Sequence, residues 1–75
     1  MLKTTNDSQR RKEINSLKKD LKNYRRFKKL ADEKREEALL AEDKESYELW
    51  DDDYFYEMSQ IYKIQKRIKE LEGAE

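Results

Sequence analysis

Carboxylates are the one chemically versatile side chain that this sequence holds in number, with 18 Asp+Glu among 75 residues. Glu33 with Glu36 and Glu48 with Asp51 form two pairs at three-residue spacing, which on helices places each pair on one face. Brought together, such pairs are the oxygen donors a hard divalent cation takes. With 18 acids in so short a chain, however, coincidences of this kind arise by chance. The run Asp51, Asp52, Asp53 is no calcium loop, because the required glycine and alternating ligand positions are missing. Histidine and cysteine are both absent. That removes imidazole and thiolate metal sites, Cys or His nucleophiles, Ser-His-Asp triads and disulfide scaffolds. The expectation is a protein that is not an enzyme and uses no cofactor, metal or small-molecule substrate.

The two acidic pairs are disposed in a manner similar to the metal-binding carboxylates of helical nucleotide pyrophosphatases. That family's pattern needs a longer gap than the eleven residues between Glu36 and Glu48. Two other clusters speak of binding. Arg10, Arg11, Lys12, Lys18, Lys19, Lys22, Arg25, Arg26, Lys28 and Lys29 form a basic run, whose cations along a helix would reach consecutive phosphates in a salt-sensitive, sequence-tolerant way. Residues 46–58, SYELWDDDYFYEM, mix carboxylates with the side-chain types enriched at interface hot spots. Leu49, Trp50, Asp52, Asp53, Phe55, Tyr56 and Tyr62 are the candidate protein-binding residues. Arg10, Arg11, Lys18, Lys19, Lys22, Arg25, Arg26 and Lys29 are the nucleic-acid-binding alternative.

The elements that position these clusters emerge from spacing. Ile14, Leu17, Leu21 and Tyr24 recur at 3, 4 and 3 residues, and the row continues through Lys28, Ala31, Arg35 and Ala38. A second row runs Tyr47, Trp50, Tyr54, Glu57, Ile61, Ile64, Ile68 and Leu71, a heptad seam broken only by Glu57. The second seam is displaced by two residues from the continuation of the first, so the register breaks in the forties; a hairpin is expected there, with a single continuous helix dimerising as a long coiled coil as the competing architecture. Asp43 or Ser46 is the expected N-cap of the second helix. Folding the chain back so that facing residue numbers add to 85 pairs Ile14 with Leu71, Leu17 with Ile68, Leu21 with Ile64, Tyr24 with Ile61, Ala31 with Tyr54 and Ala38 with Tyr47. The same register predicts a Lys28–Glu57 ion pair and an Arg35–Trp50 cation–π contact, with Phe27 beside Met58 and Leu30 beside Phe55.

The predicted fold is all-α, an antiparallel two-helix hairpin resembling a coiled coil, in one domain spanning residues 1–75. Residues 1–6 are expected as a flexible N-terminus, helix 1 over about 7–41, a turn over about 42–45 and helix 2 over about 46–72, with Gly73 as C-cap. A single seam is a thin core for a chain of this size, so the hairpin is expected to dimerise into a four-helix bundle. No apolar run is long enough for a membrane span and the first residues lack a signal peptide's apolar stretch; a cytoplasmic protein is expected. Its partners are then a second copy, a larger protein bound in the manner of a small regulator or inhibitor, or, as the alternative, RNA or DNA.

Overall fold

The computed structural model describes the backbone of residues 2–73 and the side chains of residues 7–73. Two helices, α1 (Leu2–Leu40) and α2 (Lys44–Glu72), pack against each other as a hairpin, a rod with extents of 61 × 15 × 12 Å. α1 begins at Leu2 rather than near residue 7. No proline or glycine stands in residues 2–6 to stop it. Met1 and the side chains of residues 2–6, over which a flexible N-terminus was expected, lie outside the described residues.

The reversal is three residues long and contains no glycine. Asp43 N–H donates to Ala38 C=O at 2.9 Å and Glu42 N–H to Leu39 C=O at 3.1 Å, the crossed pair of bonds of a Schellman motif. That motif needs a left-handed residue, and Glu42 supplies it with φ 56°. Asp43 then caps α2 by accepting from the Ser46 N–H at 3.1 Å and the Ser46 hydroxyl at 2.8 Å. These two bonds hold the Asp43 carboxylate below its ordinary pKa, the hydroxyl contributing most. Because Glu42 bears a Cβ in a conformation that glycine adopts freely, Glu42→Gly is expected to stabilise the hairpin by about 0.5–1 kcal/mol. A thermal melt followed by circular dichroism checks this, and a lowered midpoint would show that Glu42 makes contacts worth more than its strain.

Gly73 closes α2 with its N–H bonded to Lys69 C=O at 3.0 Å. Its φ of −86° is right-handed, so the helix ends here without the left-handed turn a glycine usually provides.

The seam is thin. Among the described residues the buried hydrophobic ones are Ala31, Ala38 and Ile68, while Ile14, Leu17, Leu21, Tyr24, Tyr47, Trp50, Tyr54, Ile61, Ile64 and Leu71 are half-buried. The interhelical ion pairs Arg67–Glu13 (3.2 Å) and Lys18–Glu72 (3.9 Å) have residue numbers adding to 80 and 90. They bracket 85 symmetrically from the two flanks, as expected when e positions meet e positions and g positions meet g positions across an antiparallel seam.

Candidate interaction surface

Those ion pairs assign the rod two faces. Heptad steps from Glu13 and Arg67 collect Asp20, Phe27 and Lys34 with Gln60, Asp53 and Ser46 on one side, and Leu30, Leu49 and Tyr56 lie next to that row. Steps from Lys18 and Glu72 collect Arg25, Asp32 and Leu39 with Gln65, Met58 and Asp51 on the other. Lys22, Lys29, Glu36, Glu48, Phe55, Tyr62 and Lys69 adjoin this second row. The Arg35–Asp51 bond at 2.7 Å belongs to the same side. Phe27 and Met58, and likewise Leu30 and Phe55, therefore share a level of the rod but stand on opposite faces, correcting the expectation that they touch.

Two further expectations are corrected in the seam. Arg35 lies over the ring of Tyr54, with Cζ 4.1 Å from its centroid, not over Trp50. Helical side chains lean toward the N-terminus of their helix, which carries Arg35 back toward the next layer. There Asp51 and, one turn earlier on α1, Asp32 accept from it at 2.7 Å each. The bonds to Asp51 first and Asp32 second push its already high pKa further up. Lys28 reaches the opposite way along α1 to the same ring, its Nζ 5.6 Å from the Tyr54 centroid, and no ion pair joins it to Glu57 among the described residues. Glu57 is left 6% exposed, its Oε2 without a hydrogen-bond partner. Burial foremost, and the nearby Asp53 charge after it, raise its pKa above the usual carboxylate range.

The hairpin sorts charge by end, which reading the chain linearly shows only in part. The open half, residues 7–30 and 61–73, holds 14 Lys+Arg and 5 Asp+Glu (+9); the loop half, residues 31–60, holds 3 and 12 (−9). Of the candidate basic residues, Arg11, Lys18, Lys19, Lys22, Arg25, Arg26 and Lys29 are exposed, while Arg10 is half-buried and bonded to Asp7 at 2.8 Å. Lys18, Lys22, Arg25, Arg26 and Lys29 line one open groove. Lys66, Lys69 and the exposed Tyr62 line another, so α2 adds cations and an aromatic ring to a surface that the sequence pattern assigned to α1 alone.

Of the candidate protein-binding residues, Leu49, Asp52, Phe55, Tyr56 and Tyr62 are exposed, whereas Trp50 and Asp53 are half-buried. Tyr54 and Phe55 meet edge to face, their centroids 5.5 Å apart. Six exposed apolar or aromatic side chains form a belt near the middle of the rod: Phe27, Leu30, Phe55, Tyr56, Met58 and Tyr62. In the hairpin register they span seven residues of height, about 10 Å. Leu39, Leu40 and Leu49 lie nearer the loop, at 63%, 81% and 71% exposure. Phe27 and Leu30 border a shallow groove with Asn23 and Arg26.

The acidic pairs do not assemble a metal centre. Asp51 is taken up by Arg35, and no group of three or more metal-ligating side chains occurs among the described residues. No described helix is long and apolar enough to cross a membrane. Comparisons with protein-family models, curated proteins and solved structures find no match for this chain.

Proposed function

We propose that the chain is a non-enzymatic protein-interaction module, a small regulator that works by binding in the cytoplasm its composition suggests. It pairs with a second copy to complete a four-helix bundle and docks a larger protein through its acidic, aromatic half. One observation carries the reading: nine large apolar side chains are 39–81% exposed, while the buried hydrophobic residues are Ala31, Ala38 and Ile68. A rod so constituted gains most of its apolar burial by association. Leu49 and Tyr56, outside the seam and flanked by Asp52 and Asp53, suit a partner surface that is apolar with a basic rim.

A second reading rests on the groove lined by Lys18, Lys22, Arg25, Arg26 and Lys29 together with Lys66, Lys69 and Tyr62 across the seam. Cations that track a backbone beside an aromatic ring suit single-stranded nucleic acid. A pull-down from lysate with and without nuclease, at roughly 50 and 200 mM salt, separates the readings. The expected result is a stoichiometric protein that survives both treatments, disappears with Leu49→Ser/Tyr56→Ser and persists with Arg25→Glu/Arg26→Glu. Recovery of nucleic acid that is lost at the higher salt and with the arginine variant would overturn the protein-binding reading in favour of the second.

A further inference from the structure

We infer that two copies pack antiparallel through the face that carries Lys18 and Glu72, about a two-fold axis at the level of Met58. This rests on the self-association part of the proposed function and adds the face, the direction and the register. On that face charge is sorted along the rod except at its two ends, where Glu72 stands among the cations and Lys44 among the acids. Lys18, Lys22, Arg25, Lys29 and Lys69 occupy the open half; Asp32, Glu36, Glu48 and Asp51 occupy the loop half. Tyr62, Met58 and Phe55 lie between them. A parallel arrangement sets like charge on like over the whole length, and reversing one copy sets opposite charges together.

The register is fixed by symmetry. An axis lying in the face and crossing the rod puts α1 on α1 of the second copy and α2 on α2, each pair antiparallel. With the axis at Met58, each Met58 meets its equivalent and Tyr62 falls within one residue of the level of Phe55, so apolar groups fall on apolar groups. Along α2, Lys69 then falls within one residue of the level of Glu48. The hairpin register places α1 position 27 at the same level, and the same axis brings Lys22 to Asp32 and Lys18 to Glu36. Two helices of unrelated sequence thus agree on one axis to within a residue. Among the described residues Lys22, Lys69, Glu36 and Glu48 take part in no ion pair within the hairpin, so they are available to the second copy. Arg25 opposite Lys29 is the one like-charged pairing, and both stems are long enough to splay into solvent.

The opposite face, treated in the same way, matches Asp20 with Lys34, Asp53 with Lys63 and Phe27 with itself. There, however, Leu30 falls near Asn23, Tyr56 on Gln60 and Leu49 on Arg67, so its apolar groups meet polar ones. That face is the poorer match for a second copy and remains open to a heterologous partner.

The chain has no cysteine, so single introduced thiols report proximity without interference. Met58→Cys is expected to oxidise to a disulfide-linked dimer, since the residue meets itself on the axis within disulfide reach. Phe27→Cys, at the same level on the other face, and Ala41→Cys, at the loop, are expected to remain unlinked. In sedimentation at low salt, Lys69→Glu is expected to weaken the dimer roughly fivefold, and adding Glu48→Lys, the other residue of that pair, to restore it. A dimer linked through Ala41→Cys or Phe27→Cys instead overturns the antiparallel arrangement or the face while leaving self-association standing. A chain that sediments as a monomer at every concentration overturns both.

Discussion

Glu57→Leu is expected to raise the thermal midpoint of the hairpin by about 10 °C, on the basis that removing a buried carboxylate whose Oε2 has no hydrogen-bond partner yields about 2 kcal/mol. Glu57 occupies a seam position whose neighbours in the row, Tyr54 and Ile61, are apolar, and its Oε2 has no donor. A leucine there continues the heptad and fills the layer opposite the Lys28 stem. The sign of the pH dependence is set by the raised folded-state pKa. In the unfolded chain Glu57 titrates near its ordinary value of 4.5; folded, it holds its proton to higher pH. Its contribution is therefore fully present below that ordinary value and is lost as pH rises through the folded value. The advantage of the leucine variant should accordingly be largest near pH 7 and shrink as pH falls toward 4.5. Asp43 acts in the opposite sense, since its lowered pKa makes the cap contribute above 3.8 and fail as pH drops through the folded value. Melts of both proteins at equal concentration across this range are the check. A leucine variant no more stable than the parent at pH 7 would mean that Glu57 has a donor after all, or that a second copy supplies one.

The features legible in the sequence and those hidden from it divide along physical lines. The 3–4 spacing of Ile14, Leu17, Leu21 and Tyr24 and of Tyr47 through Leu71 carries the two helices, because burial of one stripe demands that period and nothing else in the chain competes with it. The interhelical ion pairs at Arg67–Glu13 and Lys18–Glu72 then fall symmetrically about the register taken from those stripes. The turn was legible only as a break. Its left-handed residue is Glu42, a type that gives no turn signal, and only the N-cap Asp43 followed by Ser46 marked the place.

Long side chains escaped the layer arithmetic. Position numbers locate Cα atoms, whereas the long side chains of Arg35 and Lys28 reach about one turn along the rod from theirs, in opposite directions, to the ring of Tyr54. Face assignment escaped it for a similar reason. A constant sum gives height along the rod but not the side, and the side of Phe27 or Met58 is determined only once an interhelical pair is known. The belt of exposed apolar groups was visible as a surplus over what one seam can cover, yet its concentration at mid-rod depends on the fold, since Phe27 and Met58 are 31 residues apart in the chain. The chemical partner of the surface was not legible at all, because surplus hydrophobicity and sorted charge specify complementarity without naming what supplies it.

Tyr54→Ala is expected to cost about 2–4 kcal/mol and to abolish most helicity at 25 °C, a larger effect than any other single truncation in the seam. At Tyr54 two cations of α1 converge on one ring of α2. The guanidinium of Arg35 and the ammonium of Lys28 both lie over its ring, from positions one turn on either side of Ala31. Ala31 is completely buried, as a ring spanning those two cations would make it, and its small side chain lets the ring approach the α1 backbone. Asp51, one turn before Tyr54 on α2, fixes Arg35 in place with a 2.7 Å bond, so ring, cation and carboxylate form one layer across the seam. Removing the ring strands Arg35, uncovers Ala31 and takes the edge-to-face partner from Phe55, which itself belongs to the exposed belt. The damage therefore passes from the hairpin to whatever associates through that belt. Tyr54→Phe keeps the ring and is expected to melt within a few degrees of the parent, because the face of the ring and not its hydroxyl meets the two cations. Melts at several concentrations separate the contributions: an alanine variant that recovers full helicity at high concentration would show that association, rather than the Tyr54 layer, holds the two helices together.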